Sequence, residues 1–173
     1  MPRHRLGVAL LFDAETAGEI DSLRELFGDP ALNRIAPHVT LVPPINVHER
    51  DVQKAIDVVS MAATTVAPLQ LTIGNVSTFF PVSPVLKADV FGDDIERLMT
   101  LRRQVFVEPL SRELSYEYVP HVTLASEIAE DRADWAIKEF GVFQLATTVW
   151  SVTMLHEVER VWRSLASFPL GAV

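Results

Sequence analysis

A five-residue segment, Pro-His-Val-Thr-Leu, occurs twice in this chain, at residues 37–41 and again at residues 120–124. Side chains alternate between the two faces of a β-strand, so His38 and Thr40 share one face while the valine and leucine occupy the other. The same alternation groups His121 with Thr123 in the second copy. Each copy therefore predicts a strand that is anchored in a core by one face and presents an imidazole and a hydroxyl on the other.

The elements around the two copies recur in the same order, which indicates a duplication. A predicted strand begins 33 residues before the first histidine and 36 residues before the second. The sequence thus predicts an α+β fold of two lobes, built from repeats at residues 5–80 and 85–168, with antiparallel sheets flanked by helices. Pseudo-twofold symmetry would place a central cleft between the lobes. No low-complexity linker separates the repeats, so we expect residues 1–173 to form a single domain.

Hydrophobic periodicity and turn residues set the bounds of the individual elements. Two helices and two strands bear on the argument below, and they are predicted at 14–27, 130–140, 35–42 and 142–155. The strand at 35–42 contains the first motif, and Pro43 and Pro44 are expected to end it. The three tryptophans are interpreted as packing residues.

Composition and charge limit the classes of partner. The net charge is −8 at pH 7, and an acidic surface disfavours an extended nucleic-acid interface, which needs clustered lysine and arginine. The chain has no cysteine, which excludes disulfides, thiolate metal ligands and a cysteine nucleophile. No apolar run is long enough to cross a membrane. We expect a cytoplasmic monomer without membrane attachment, whose substrate is an RNA terminus or a small nucleotide.

Two histidines and two threonines around one cavity are suited to the chemistry of a phosphate oxyanion. Histidine titrates near pH ~6.5, so one ring can accept a proton while the other donates one. Thr40 and Thr123 can donate hydrogen bonds to the non-bridging oxygens. We expect His121 to act as the base toward water and His38 as the acid toward the leaving oxygen, and the symmetry leaves the reverse assignment open. This chemistry requires no metal ion or other cofactor.

The two motifs, in a duplicated α+β chain of this size, resemble those of the two-histidine (2H) phosphoesterase superfamily, which includes 2′-5′ RNA ligase-like proteins and RNA 2′,3′-cyclic phosphodiesterases. The first copy continues as His-Val-Thr-Leu-Val-Pro-Pro, like the smaller bacterial branch named for 2′-5′ RNA ligase. The resemblance implies hydrolysis of a 2′,3′-cyclic phosphate to a 2′-phosphate, with His38 and His121 catalytic and Thr40 and Thr123 phosphate-binding. The chain departs from the pattern at Ser126, where many of these phosphodiesterases carry arginine or lysine.

Side chains near the motifs are further candidates for substrate contact. They are Arg34, Phe79, Phe80, Tyr116, Tyr118 and Ser126. Arg34 lies four residues before the first histidine and could supply positive charge, and one of the two adjacent phenylalanines could stack on a base.

Three other functions stay open at this point. The chain could be a non-catalytic nucleotide- or phosphate-binding protein of the same fold, and 2′-5′ RNA ligation could occur as the reverse reaction. A metal hydrolase is the third alternative, but the motifs lack the additional ligands that a metal site needs.

Overall fold

The computed structural model describes residues 1–171. Its strands and α-helices are, in chain order, β1 Arg3–Leu11, α1 Ala14–Phe27, β2 His38–His48, α2 Val52–Thr64, β3 Leu69–Thr78, β4 Leu86–Phe91, α3 Ile95–Val105, β5 His121–Ala125, α4 Glu130–Phe140, β6 Gln144–Val149, β7 Ser151–Val158 and β8 Val161–Pro169. The predicted α+β class is confirmed, and all eight strands belong to one continuous sheet. Within these residues, no helix is both long and apolar enough to cross a membrane.

The sheet is antiparallel and has the strand order β6-β3-β4-β5-β2-β1-β7-β8. The two motif strands, β2 and β5, are neighbours at its centre and pair at Val39 and Val122. On one side β2 is followed by β1 and then β7, and on the other side β5 is followed by β4 and then β3. The pairing is therefore pseudo-twofold symmetric about the contact between the two motifs.

Each predicted repeat contributes to both halves of the sheet. Strand β3 comes from the repeat at 5–80 and pairs with β4, while β7 comes from the repeat at 85–168 and pairs with β1. Each half of the sheet therefore contains strands from both repeats. That residues 1–173 form a single domain stays a prediction, and its last two residues, 172 and 173, lie outside the described part of the chain.

The sheet is curved, so that its edge strand β6 comes close to β7 near the opposite edge. The segment 142–155, predicted as one strand, is two strands separated only by Trp150, so that prediction was wrong. In the strand order β6 and β7 are six positions apart, which in a flat sheet would be roughly 29 Å. The Cα atoms of Val149 and Ser151 can be at most about 7.6 Å apart. The two ends of the sheet are therefore brought together, which gives the sheet a concave face.

Strand β2 continues through Pro43 and Pro44, where the sequence analysis placed its end. The register with β1 shifts there, so the two prolines lie opposite the single residue Gly7 in a β-bulge. The other edge of β2 pairs with β5 at Val39 alone, so no neighbouring strand requires the N–H groups that proline lacks. The strand thus extends to His48 because only one of its edges is paired beyond the motif.

Helix α1 occupies the predicted range because both of its ends carry strong local signals. The Asp13 carboxylate accepts a hydrogen bond from the N–H of Thr16 at 2.8 Å, and Gly28 takes the left-handed conformation (φ 71°) that closes the helix. Helix α4 also matches its prediction. Helix α1 packs against β5, α3 against β2, and α4 against β3. The helices thus cover the face of the sheet that carries the buried valines and leucines of the motifs.

Candidate active site

The two motifs meet at the centre of the sheet. The register that pairs their valines places His38 opposite Thr123 and Thr40 opposite His121. Side chains directly opposite each other have Cβ atoms about 5 Å apart, and diagonal neighbours are about 7–8 Å apart. The two imidazoles therefore lie diagonally across a space of the size of a phosphate group. All four side chains are half-buried, whereas the valines and leucines between them are fully buried on the helix-covered face.

Both imidazole rings are held by the same kind of backbone hydrogen bond. Nδ1 of His38 lies 2.8 Å from the carbonyl oxygen of Ala36, and Nδ1 of His121 lies 2.8 Å from that of Val119. A carbonyl oxygen can only accept, so Nδ1 donates in both rings. The other ring nitrogen, Nε2, carries the lone pair in the neutral form. It is the atom left for proton transfer with a substrate.

An apolar pocket of about 80 Å³ lies beside His38. Its lining includes Ile35, Leu155 and Trp162. The indole packs close to the β1 backbone at Gly7, where a Cβ atom would be 3.6 Å from the ring. Burial in these apolar surroundings lowers the pKa of His38 to about 4. The ring is therefore neutral at pH 7 in the free protein.

Charged side chains of β4 lie beside His121. In the β4–β5 pair Lys87 lies opposite Thr123 and Asp89 lies opposite His121, so these four side chains share one face. The edge of the Phe79 ring meets the imidazole, with ring centroids 4.8 Å apart and ring planes at 89°. Burial lowers the pKa of His121; the Lys87 ammonium lowers it further, and the Asp89 carboxylate acts in the opposite direction. The two histidines thus have equivalent backbone contacts but different surroundings.

Tyr118 connects the two motifs. Its hydroxyl donates a 2.7 Å hydrogen bond to the carbonyl oxygen of Thr40, although Tyr118 itself lies in the segment that leads to the second motif. The guanidinium of Arg102 lies 4.7 Å from the centroid of its ring and 3.7 Å from that of Phe106. Tyr118 therefore has a positioning contact in the structure, and its contact with substrate stays a prediction. Tyr116 is largely exposed.

Comparison with known proteins identifies the family. The family model of the 2′-5′ RNA ligase superfamily matches residues 12–161. The chain belongs to the 2′-5′ RNA ligase superfamily. The resemblance to two-histidine phosphoesterases that the motifs indicated is thereby confirmed.

Full-length relatives agree with this membership. The chain is 28% identical over 170 residues to a protein of Bacillus pumilus named "Putative phosphoesterase", covering 96% of this chain and 98% of that protein. It is 27% identical over 168 residues to "Putative phosphoesterase BH1439" of Halalkalibacterium halodurans, with 95% and 96% covered. The crystal structure of Escherichia coli LigT in apo form superimposes with a TM-score of 0.69 at 14% identity, covering 99% of this chain and all of LigT. The family and the names of these relatives support a phosphoesterase.

Ser126 follows the second motif, at the point where the sequence analysis noted the departure from the expected basic residue. Its N–H and its hydroxyl both lie 3.2 Å from Oδ1 of Asp29. Oδ2 of the same carboxylate accepts a 2.8 Å hydrogen bond from Nε of Arg24, and both of these charged residues are buried. Ser126 therefore belongs to a polar network that joins the end of β5 to the end of α1. Its contact with substrate stays a prediction.

The remaining predicted residues are placed at different distances from the histidines. Phe79 contacts His121, as described above, and Phe80 packs against the hydrophobic core. The residue Arg34 is exposed, and its carbonyl oxygen accepts a 2.7 Å hydrogen bond from the N–H of Trp162. For Arg34, Phe79 and Phe80, the proposed substrate contacts also stay predictions.

Sequence reasoning missed two neighbours of the histidines, Lys87 and Trp162. A signal for the first was present, because β4 reads Leu-Lys-Ala-Asp-Val-Phe, and alternation places its lysine and aspartate together on the face opposite the leucine, alanine and valine. Knowing that this face meets the second motif required the register between β4 and β5. Nothing in the local pattern marks Trp162, because the pocket that it lines is assembled from several strands.

A larger cavity, about 620 Å³, lies elsewhere, against β3, β6 and the start of α1. Its charged lining residues are acidic: Asp13, Glu15, Glu19 and Asp93. A wall of carboxylates repels a phosphate ester, so the histidine site is the better candidate for phosphoester chemistry. Among residues 1–171, no three histidine, aspartate or glutamate side chains are grouped as a metal site would need.

Proposed function

We propose that this protein hydrolyses 2′,3′-cyclic phosphates, at RNA ends or in nucleotides, to 2′-phosphates without a metal ion. One observation carries the proposal: two half-buried imidazoles lie diagonally across one small space, each with Nδ1 donating to a carbonyl and each opposite the threonine of the other motif. A five-membered cyclic phosphate is strained, so proton transfer and stabilisation of the oxyanion are sufficient to open it.

The different surroundings of the two rings favour one assignment of roles. His38 is neutral at pH 7 because burial lowers its pKa to about 4, so it is the better base toward water. Burial and the Lys87 ammonium lower the pKa of His121, whereas the Asp89 carboxylate and the negative charge of a bound phosphodiester act in the opposite direction and favour the imidazolium once substrate is bound. This assignment is the reverse of the one expected from the sequence.

The proposed reaction then proceeds in one displacement. The Nε2 atom of His38 takes a proton from water, the water oxygen forms a bond to phosphorus, and the bond from phosphorus to the ribose O3′ breaks. The imidazolium of His121 gives its proton to O3′, which leaves the phosphate on O2′. Each proton transfer contributes about 10²- to 10⁴-fold in rate. Hydroxyls from Thr40 and Thr123, one from each motif strand, donate to the non-bridging oxygens as negative charge builds.

Structural relatives support a nucleotide-sized substrate. Crystal structures of Escherichia coli LigT have been solved in complex with 3′-AMP and with phosphate, at TM-scores of 0.69 and 0.63 to this chain. Their sequence identities of 16% and 17% establish a common fold alone. The ligands of LigT are therefore suitable probes for this protein.

The test is hydrolysis of the four nucleoside 2′,3′-cyclic phosphates in the presence of EDTA, with the 2′- and 3′-monophosphate products separated. We expect only 2′ products and no effect of EDTA. The variants His38→Ala and His121→Ala should each lose turnover while remaining folded. His4→Ala, which removes an exposed histidine of β1, is the matched control and should retain full activity.

Two results would overturn the proposal. One is retention of near-wild-type turnover by either motif variant, which would refute the two-histidine mechanism. The other is the absence of turnover on all four substrates by the wild-type protein. Binding of a nucleotide without turnover would identify a binding protein of this superfamily instead.

A further inference from the structure

Lys87 differs from the other two lysines of the chain. Lys54 and Lys138 are exposed on α2 and α4, whereas Lys87 is only 7% exposed. Lysine is almost never buried unless its charge is paired, because removing an ammonium group from water carries a large free-energy penalty. The position of this buried cation in the sheet therefore needs a physical explanation.

Lys87 lies beside the second motif. It is the cross-strand partner of Thr123 in the β4–β5 pair, and the adjacent pair on the same face joins Asp89 to His121. Directly opposed residues have Cβ atoms about 5 Å apart. The ammonium group and the threonine hydroxyl therefore extend from neighbouring points of the same face, on the side of the site that belongs to His121.

The protein satisfies only part of the hydrogen-bonding capacity of Lys87. Its Nζ atom donates to the Ser77 hydroxyl at 2.7 Å and to the Asp89 carboxylate, and it lies 4.9 Å from the centroid of the Phe79 ring. An ammonium group has three N–H donors, so one is left after these two hydrogen bonds. The Phe79 ring also contacts the imidazole of His121, which fixes the ammonium and the imidazole against the same support.

The other buried cation, Arg24, is held by protein groups at all three of its guanidinium nitrogens. Arg24 donates to Asp29 at 2.8 Å, to Asp21 at 2.9 Å and to the carbonyl of Ala31 at 3.0 Å. The residue that follows the second motif, Ser126, bonds to the same Asp29 and carries no charge. On the His121 side of the site, the cation that the structure places close to the imidazole is Lys87 of β4.

We propose that Lys87 binds a non-bridging oxygen of the substrate phosphate and supplies, from β4, the positive charge that Ser126 lacks. This inference rests on the proposed function, because it names the phosphate-binding cation of the same site. A charge-assisted hydrogen bond from an ammonium to a phosphate oxygen is about twice as strong as a neutral one. It gains further strength as charge builds on that oxygen in the transition state. Lys87 and Thr123 then act as a pair of adjacent donors.

The first test measures binding of inorganic phosphate, followed by NMR of the two histidine rings, in the wild type, Lys87→Met and Lys138→Met. Lys138→Met removes an exposed lysine and controls for net charge. We expect Lys87→Met to weaken phosphate binding at least tenfold and Lys138→Met to leave it unchanged. Asp89, whose side chain is 42% exposed, can be solvated by water when its partner is removed, so the variant is expected to fold. Lys87→Gln is a second variant of similar length.

The same spectra report the pKa of His121. The charged or titratable groups that face its ring are Lys87 and Asp89 from β4 and His38 from β2. Removing the ammonium leaves the Asp89 carboxylate unopposed, so the pKa of His121 should rise in Lys87→Met. This rise would show that the ammonium faces the imidazole of His121, and the phosphate affinity then shows whether it also binds the substrate anion.

Turnover provides the third readout. On a nucleoside 2′,3′-cyclic phosphate, Lys87→Met should lose on the order of 100- to 1,000-fold in kcat/KM, as expected when one oxyanion donor is removed. Lys87→Arg should recover part of this loss because it restores the charge. Unchanged phosphate affinity in Lys87→Met would overturn the inference whatever happens to the pKa of His121, and so would a loss confined to stability. If the wild type turns over no cyclic phosphate but Lys87→Met still abolishes phosphate binding, the proposed function fails while the assignment of Lys87 stands.

Discussion

The buried ion pair between Arg24 and Asp29 gives the sharpest test of the structure, because the side chains are only 3% and 1% exposed. Asp29 accepts hydrogen bonds from Arg24 at 2.8 Å, from the N–H of Ala31 at 3.0 Å, and from the N–H and hydroxyl of Ser126 at 3.2 Å each. Breaking a buried pair by removing one partner lowers the free energy of unfolding by about 3–5 kcal/mol. Arg24 retains Asp21, so we expect Asp29→Ala to lose about 3 kcal/mol.

This loss should be visible as a large change in thermal stability. In a domain of this size 1 kcal/mol corresponds to about 2–4 °C, so the midpoint of unfolding should fall by about 6–12 °C. Urea unfolding followed by tryptophan fluorescence measures the free energy directly, provided that the m-value is unchanged. Asp21→Asn removes the exposed partner of Arg24 and is the matched control, with an expected loss below about 1 kcal/mol.

A double variant distinguishes the effect of the unpaired charge on stability from the effect of the lost side-chain volume. Arg24→Met combined with Asp29→Leu removes both charges and retains similar volume, so it should be more stable than Asp29→Ala alone. If Asp29→Ala loses less than about 1 kcal/mol with an unchanged m-value, the pair is not buried as described. The connection of Ser126 to α1 would then also be wrong.

Three further predictions concern the site itself. The pKa of His38 is about 4 in the folded protein and about 6.5 when unfolded, so the unfolded chain binds the proton more tightly. As pH falls from 6.5 to 4, the free energy of unfolding of the wild type should therefore fall by about 2 kcal/mol more than that of His38→Asn. In Trp162→Ala, which opens the pocket, NMR titration should show a higher pKa for His38. An equal loss in His38→Asn, or an unshifted pKa in Trp162→Ala, contradicts burial as the cause. Thr40→Val and Thr123→Val should each reduce kcat for a cyclic phosphate by about 100-fold, and a change in stability alone would make the hydroxyls packing groups. Tyr118→Phe should lower the free energy of unfolding by about 1 kcal/mol through its lost hydrogen bond to Thr40, and an unchanged value in urea unfolding would argue against that bond.

The parts of the structure that the sequence predicted are those with local causes. Asp13 and Gly28 cap a helix whose apolar residues follow one face, so the bounds of α1 could be derived from the sequence. The alternation around His38 and His121 likewise predicted which side chains share a face, because it depends only on strand geometry.

The parts that it could not predict depend on pairing between distant segments. The continuation of β2 through Pro43 and Pro44 depends on which of its edges is paired, and the break at Trp150 depends on a change of partner strand. Lys87 became a candidate only when the register placed it opposite Thr123. The pKa of His38 follows from a pocket to which several strands contribute. These features arise from tertiary contacts, so they cannot be predicted from any local stretch of the sequence.

The reciprocal placement of β3 and β7 has a consequence for how this molecule can be divided. Each predicted repeat holds one histidine strand, but β3 of the first repeat and β7 of the second lie in the half of the sheet that contains the other histidine, an exchange like that between two domain-swapped protomers. Cutting the polypeptide between β3 and β4 would yield two pieces. The first would lack the β7 partner of β1, and the second would lack the β3 partner of β4. Each piece should be inactive alone, and mixing the two pieces should restore the site that contains both histidines. Correct folding of either histidine strand therefore depends on both repeats, since neither piece can complete its half of the sheet by itself.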